Sequence, residues 1–441
     1  MKKLLVFLTF AIIAITAIGC GGKAPLTIWV GSESEAFYQQ KMEEYKAFYQ
    51  NQNGVEFPHD IRVVGVDTGT AASTFLDDTE AGADIFTAAH DNLGKLITGS
   101  SAVAPIQSQA LLNQIQNDNP DSFLNVIKGT VGGVQYTFGV PYVAQALVLY
   151  YNKDFVSETQ AQSWEGILEA AVAANKQALS LAGTDGFNNS FILLATEKET
   201  GYTSLRLYEN GVQDNTFGTG DDTIAKLKWA QRFFNHPNGA KRPSDSGWEV
   251  ELSDKISIAF IGGAWHFNAA KAAVGEDKLG ITILPTFTLT SEDAYGDAEA
   301  GTLFQSGTFA DAKLFFMKKD SNYQEYLEDI LLFLTTKDVQ EESFEVAANL
   351  PAYKNAAEEF EAFQADTLDA KLATAQVRMF EYGIPQPFGF VSRYNTYYYS
   401  KGAPDLILDI LENKDGEFTT HQQILAQMQI VESLWKTGLR P

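Results

Sequence analysis

Short apolar runs separated by stretches of helical periodicity constrain this chain more than any single motif does. Leu26–Val30 (LTIWV), Ile61–Val66 and a run near Asp84–Phe86 each have the length and composition of a buried strand. After the first run and the turn Gly31-Ser32-Glu33, Tyr38, Met42, Tyr45 and Tyr49 recur at the spacing of one helical face. A short helix precedes the third run, and Ala89-His90-Asp91 follows it. Alternation of this kind predicts a parallel α/β sheet.

The rhythm continues along the chain. Gly132–Val140 reads as a small hairpin that Pro141 ends, and Gln145–Tyr151 as a buried strand. A helix after Ser163 turns Trp164 and Leu168 inward. Asp221–Phe234 is amphipathic through Ile224, Leu227, Ala230 and Phe234. Asp293–Gly307 is polar and loop-like, and Lys313–Met317 returns as a strand. Ser321 and Gln324 have capping-box spacing ahead of the helical face Tyr323, Leu327, Ile330 and Leu334. From Lys354 onwards the pattern is helical, broken at Ile384–Pro387 and closing with Ile424, Met428, Val431 and Trp435. No repeat or low-complexity linker separates the parts, so the chain is expected to cross between two lobes more than once.

Met1–Cys20 stands apart from the fold. Lys2 and Lys3 precede the uncharged run Leu4–Ile18, which is shorter than the roughly 20 residues of a membrane span. The run ends Ala17-Ile18-Gly19-Cys20 and looks like a bacterial lipobox, with Ala17 where that motif usually carries Leu. Residues 1–19 are thus expected to be a signal peptide, and 20–25 a linker lipidated at Cys20; an ordinary signal peptide with an incidental cysteine and an uncleaved anchor are the competing readings. Cys20 is the only cysteine in the chain, which rules out an internal disulfide or a cysteine cluster.

The formal net charge of −24 becomes −26 once Lys2 and Lys3 leave with the signal. A field of that sign repels nucleic-acid phosphates, and no basic patch opposes it. The chain carries no G-x-S-x-G, H-E-x-x-H or P-loop motif, so esterase, metalloprotease and nucleotidase readings lack support. Asp221-Asp222 in GTGDDT lacks the alternating oxygen ligands of a calcium loop and reads as a solvated helix start. No metal and no cofactor are expected.

Ser257–Phe287 holds the most informative local pattern. An apolar run, Ile258–Ile261, breaks at Gly262-Gly263, and the aromatic pair Trp265 and Phe267 follows where a helix would begin. A second strand, Leu279–Leu284, stops at Pro285. In open α/β sheets ligands bind outside the carboxyl ends of the strands, which would stand Trp265 at the mouth of a crevice. A core tryptophan is the competing reading.

Several stretches together resemble the sugar-binding solute-binding proteins of ABC importers, most of all the maltose/maltodextrin-binding group. They are LTIWV at 26–30, ADIFTAAHDNLG at 83–94, GVPYVAQALVLYYNKDF at 139–155, IAFIGGAWHF and GITILPTF in the central stretch, and GIPQPF from 383. The resemblance implies a type II fold: two discontinuous α/β lobes with a ligand cleft between them. Crossovers are expected near Ala144–Leu147, Leu284–Phe287 and Asn349–Tyr353. Lobe I would span 24–143 plus 286–346, and lobe II 148–283 plus 351–441.

The resemblance also implies site residues. Glu33 and Asp91 stand where the family hydrogen-bonds sugar hydroxyls, a task for which a carboxylate offers two acceptor oxygens. Gln145 replaces a family glutamate, and Trp265, with Phe267 beside it, matches an aromatic platform for the apolar face of a sugar ring. Glu33 has the competing reading of a carboxylate favoured by a helix dipole, Asp91 of an N-cap, and Gln145 of a hinge residue facing water. His90 is read as structural. Ala88, Asn92 and Ser34 depart from the tryptophan, arginine and lysine of maltose binders, and a second platform is expected within Phe388–Tyr399.

The function implied is capture of a sugar, an oligosaccharide such as a maltodextrin, outside the cytoplasm. Its partners would be ABC permease subunits and, through the lipid, the membrane, with the chain a monomer. Two other classes compete. One is a secreted enzyme acting on polysaccharide through paired carboxylates. The other is the same fold holding a polyamine or another small solute, which Glu33 with Asp91 would suit.

Overall fold

The computed structural model describes residues 24–98, 101–181, 190–204, 208–209, 212–213, 218–241, 247–380, 382–384, 402–413 and 415–438. Cys20 and the stretch 388–399 lie outside them.

Ten strands build two five-stranded sheets. They are β1 (Leu26–Val30), β2 (Ile61–Gly65), β3 (Ile85–Ala89), β4 (Gly139–Gln145), β5 (Val148–Asn152), β6 (Leu179–Leu181), β7 (Ala240–Lys241), β8 (Ala259–Gly262), β9 (Leu279–Thr282) and β10 (Asp311–Met317). The first sheet runs β2-β1-β3-β10-β4 and the second β7-β6-β8-β5-β9. In the first, β1 lies parallel to β2 and β3, while β10 is antiparallel to both β3 and β4. In the second, β8 is parallel to β6 and antiparallel to β5.

Each sheet is covered by helices and has its own core. Helix α1 (Glu35–Asn53) buries Tyr38, Met42 and Tyr45 on the first sheet, the face its helical spacing marks out. Helix α2 (Trp164–Ala174), capped by Ser163 Oγ accepting from Gly166 N at 3.1 Å, sinks Trp164 into the second core. Helix α3 (Asp221–Asn235) adds Ile224, Leu227 and Ala230 there.

Four local expectations give way. Pro141 lies inside β4, where it faces Leu314 beside a register shift; β4 is an edge strand, which tolerates a residue with no N–H to donate. The hairpin falls earlier, with Lys128–Val131 paired to Val134–Thr137. Ser321 and Gln324 form no capping box: Ser321 Oγ donates to Asp84 Oδ1 at 2.7 Å, and Gln324 Nε2 turns back to the carbonyls of Lys318 and Lys319. The pair Asp221-Asp222 is also only half solvated, because Asp222 is buried against Lys226.

The crossovers differ more. Gln145 ends β4 and Val148 starts β5, so the expected crossing at Ala144–Leu147 coincides with a passage between the sheets. The return does not occur near Leu284–Phe287. Phe287, Leu289, Phe304 and Phe309 pack in the second core, where Thr286–Thr288 and Leu303–Gln305 pair as strands, and only at Ala312 does the chain rejoin the first. Residues 286–309 therefore belong with lobe II, and the loop expected over Asp293–Gly307 contains a strand. Asn349–Tyr353 lies against the first sheet, with Ala144 N donating to Leu350 O at 2.8 Å. Leu350, Tyr353, Phe360 and Phe363 are in the first core. The last passage runs through α4 (Leu368–Phe380), which gives Ala373 to the first core and Leu372, Ala375 and Met379 to the second.

Candidate functional site

The carboxyl ends of β1, β3 and β4 and the start of β10 share one edge of the first sheet, because β10 runs antiparallel to its neighbours. On the second sheet, the ends of β6 and β8 share an edge with the start of β5, where Gly262 faces Val148. Only Ala146-Leu147 separates Gln145 on the first edge from Val148 on the second. Both carboxyl edges therefore open onto the same crossover, the position a ligand crevice requires.

Glu33 lies in the 3-10 turn Ser32–Ser34 that follows β1. Its side chain is 38% exposed, and Oε1 lies 3.3 Å from Nζ of Lys313. Lys313 sits on β10 opposite Ala89 of β3 and Val143 of β4. Next to Glu33, Ser34 is buried and its hydroxyl accepts from Asn349 Nδ2 at 3.0 Å.

Asp91 lies in the turn His90–Asn92 after β3. Its Oδ1 accepts from Asn92 Nδ2 at 2.9 Å, and the same amide also donates to Ala89 O. The helix Leu93–Ile97 takes no side-chain cap, so Asp91 is not an N-cap. Burial holds the Lys95 ammonium below its ordinary pKa, and Asp91 opposes that shift. His90 is fully buried, accepts from Ala312 N at 3.4 Å and lies 3.8 Å from Asp311 Oδ1, as a structural histidine would.

Gln145 is 7% exposed and stands opposite Asp311. It does not face water, and its Oε1 has no hydrogen-bond partner among the described residues. A buried acceptor left unpaired costs roughly 1–3 kcal/mol, so such atoms mark places where another group is accommodated.

Across the crossover, β8 ends at Gly262-Gly263 and the turn Ala264–His266 follows. The Tyr150 hydroxyl donates to Gly263 O at 2.9 Å and fixes the break. A Cβ at Gly263 would overlap the six-membered ring of Trp265, so glycine there lets the indole lie against the backbone. Trp265 is 38% exposed, unlike the core tryptophans Trp164, Trp229 and Trp435.

Phe267 does not join it. It is 1% exposed, opens the helix Phe267–Val274 and packs in the second core. Residues two apart on a helical turn point to different sides, so Trp265 and Phe267 cannot share a face. His266, between them, sits edge-on to Trp248 and Phe260, each 5.2 Å away, while those two stack at 3.9 Å. Burial pushes the His266 pKa down to about 4.

The structure thus brings Glu33, Asp91 and Gln145 to one edge and stands Trp265 on the other. Sequence reasoning missed Lys313, Asp311 and Asn349. Lys313 had a visible signal, a lysine inside the apolar run of ADAKLFFM. Asp221 Oδ2 accepts from Asp297 N at 3.1 Å, and no cluster of three or more His, Cys, Asp or Glu suited to a metal occurs among the described residues.

Two α/β lobes, joined by several passages and facing each other with the carboxyl edges of their sheets, have the architecture of a two-lobed solute-binding protein. Residues 44–405 match the model of the family described as bacterial extracellular solute-binding protein. The chain belongs to that family, whose members work outside the cytoplasm.

Relatives at low identity cover most of the chain. It is 24% identical over 419 residues to the maltodextrin-binding protein MdxE of Bacillus subtilis (strain 168), with 88% of each chain covered. It is 24% identical over 417 residues to the maltooligosaccharide ABC transporter solute-binding lipoprotein of Streptococcus pneumoniae (strain ATCC BAA-255 / R6), again with 88% of each covered.

Among solved structures, the maltodextrin-binding protein MalE1 from L. casei BL23 without ligand superposes with a TM-score of 0.72 at 17% identity. The alignment covers 95% of this chain and 99% of that one. A cyclo/maltodextrin-binding protein complexed with maltotetraose gives a TM-score of 0.67 at 17% identity, covering 94% and 98%. These superpositions establish the type II fold.

Proposed function

We propose that this protein captures a sugar of the maltodextrin class, closes its two lobes over it and presents it to the permease of an ABC importer. It acts as a monomer anchored by lipid on Cys20 and performs no chemistry of its own. The observation that carries this reading is Trp265, a part-exposed indole laid against Gly263 on the carboxyl edge of the second sheet. Such a ring offers flat apolar area for the face of a pyranose. Glu33, Asp91 and the unpaired Gln145 Oε1 supply acceptors for its hydroxyls from the other edge. The relatives bear names that fit, as maltodextrin and maltooligosaccharide binders. A polyamine fits less well, because Lys313 already neutralises Glu33.

The test is calorimetric titration of the mature chain with maltose, maltotriose and maltotetraose, with small-angle scattering of the same samples. Saturable binding of at least one, with a smaller radius of gyration, is the expected result. No binding of any would overturn the reading, and new reducing ends on incubation would turn it towards the enzyme class.

A further inference from the structure

Lys313 is a lysine buried at this edge. Its strand neighbours Ala312, Leu314, Phe315 and Phe316 are fully buried, and Lys313 itself is only 7% exposed. An ammonium taken that far from water is retained only where partners use its charge. Among the described residues it has a single hydrogen-bond partner, Glu33 Oε1 at 3.3 Å. Lysine has three donors, so two remain free among the described residues. Glu33 Oε2 is likewise unengaged among the described residues, and its carboxylate stands at the solvent side of the pair. Lys313 lies opposite Ala89 and Val143, each two residues short of a site residue, Asp91 and Gln145.

We propose that Lys313 is a ligand-contacting, specificity-determining residue, and that with Glu33 it forms one donor–acceptor pair reading two adjacent hydroxyls of a sugar ring. This rests on the proposed function. A hydroxyl that donates to Glu33 has a neighbour on the next ring carbon, and that neighbour accepts from the ammonium. The pair is neutral overall, so it takes a neutral ring with a free vicinal diol. It disfavours a cationic ligand, which would have to displace Lys313, and a carboxylated one, which would meet Glu33 and Asp91. Charge-assisted hydrogen bonds of this kind are the stronger sort and depend on both partners being held in place.

The experiment is a double-mutant cycle on the mature protein, with maltotetraose affinity read by calorimetry and folding by urea denaturation. Lys313→Met is expected to weaken binding by about tenfold or more, as is Glu33→Gln. The double variant should lose less than the product of the two losses, because the pair acts as a unit. Should Lys313→Met fail to fold, Lys313→Gln, one atom shorter but still a donor, takes its place in the cycle. A Lys313 variant that binds within about twofold of wild type, or losses that simply multiply, overturns the pairing even though wild type binds. A buried structural lysine would shift the unfolding midpoint and leave the cycle additive. Wild-type protein with no affinity for maltotetraose or shorter malto-oligosaccharides sinks the proposed function itself, and this inference with it.

Discussion

The hydroxyl of Tyr150 donates a 2.9 Å hydrogen bond to the carbonyl of Gly263, tying the first strand after the crossover to the backbone break that carries Trp265. Tyr150 is fully buried, and burial drives its phenol well above the ordinary range, so it stays a donor at every working pH. Through this bond the platform is referenced to the strand that follows Gln145 by way of Ala146-Leu147.

Tyr150→Phe should therefore act on both stability and binding. The variant removes one of two donors to the Gly263 carbonyl, which keeps His266 N at 3.1 Å, at a cost of roughly 0.5–1.5 kcal/mol, and loosens the seat of Trp265. Urea unfolding and maltotetraose calorimetry on the same sample check it. An unchanged affinity together with an unchanged midpoint would show that the bond positions nothing.

His266 makes stability depend on pH in a defined window. The native ring stays neutral down to about pH 4, whereas in the unfolded chain it protonates near 6.5. Between those values the unfolded state binds the extra proton. Its contribution is thus complete above about pH 6.5 and is lost as pH falls towards 4, by at most about 3 kcal/mol. Urea denaturation of wild type and His266→Gln at pH 7 and pH 4.5 should show wild type losing more stability on acidification. Parallel losses in the two proteins would contradict the assignment.

Lys226 is expected to matter for folding alone. Its ammonium is fully buried and donates to Leu193 O at 3.2 Å and Ala195 O at 2.9 Å, and it lies 3.0 Å from Asp222 Oδ2. Lys226→Met leaves Asp222 buried without its counter-ion, though still accepting from Ser204 N at 3.1 Å, which costs roughly 3–5 kcal/mol in comparable pairs. The molecules that still fold should bind ligand as wild type does. A loss below about 1 kcal/mol, the size of an exposed pair's effect, would mean that the interaction is not as buried as the structure has it.

The anchor is tested in cells. Cys20→Ser should move the protein from the membrane fraction to the soluble one, since the cysteine is the only one in the chain. Tight membrane association of that variant would reject lipidation.

The two lobes were legible in the sequence where a strand is a short apolar run and a helix has an amphipathic face, as in Leu26–Val30 followed by Tyr38, Met42 and Tyr45; the short strands Leu179–Leu181 and Ala240–Lys241 gave no such signal. The passages between lobes were not, because they are set by packing rather than pattern. Phe304 and Phe309 belong to the second core for reasons no local period contains. Pro141 was misread because nothing in the sequence says that its strand lies at an edge. Gly262-Gly263 signalled the part-exposed setting of Trp265, since a glycine pair before an aromatic residue makes room for its ring. Phe267 failed because the turn rotates it inwards. The burial of Gln145 and the meeting of Lys313 with Glu33, 280 residues apart, depend on sheet order alone.

Trp265→Ala, measured for maltotetraose affinity by calorimetry and for unfolding free energy by urea on the same preparation, tests the central claim most directly. A part-exposed platform contributes little to the core, so the variant is expected to keep its stability within about 1 kcal/mol and to lose about tenfold or more in affinity. A stability loss of roughly 3–5 kcal/mol, as for a truncated core aromatic, with affinity intact in the folded fraction, would contradict a sugar bound against Trp265.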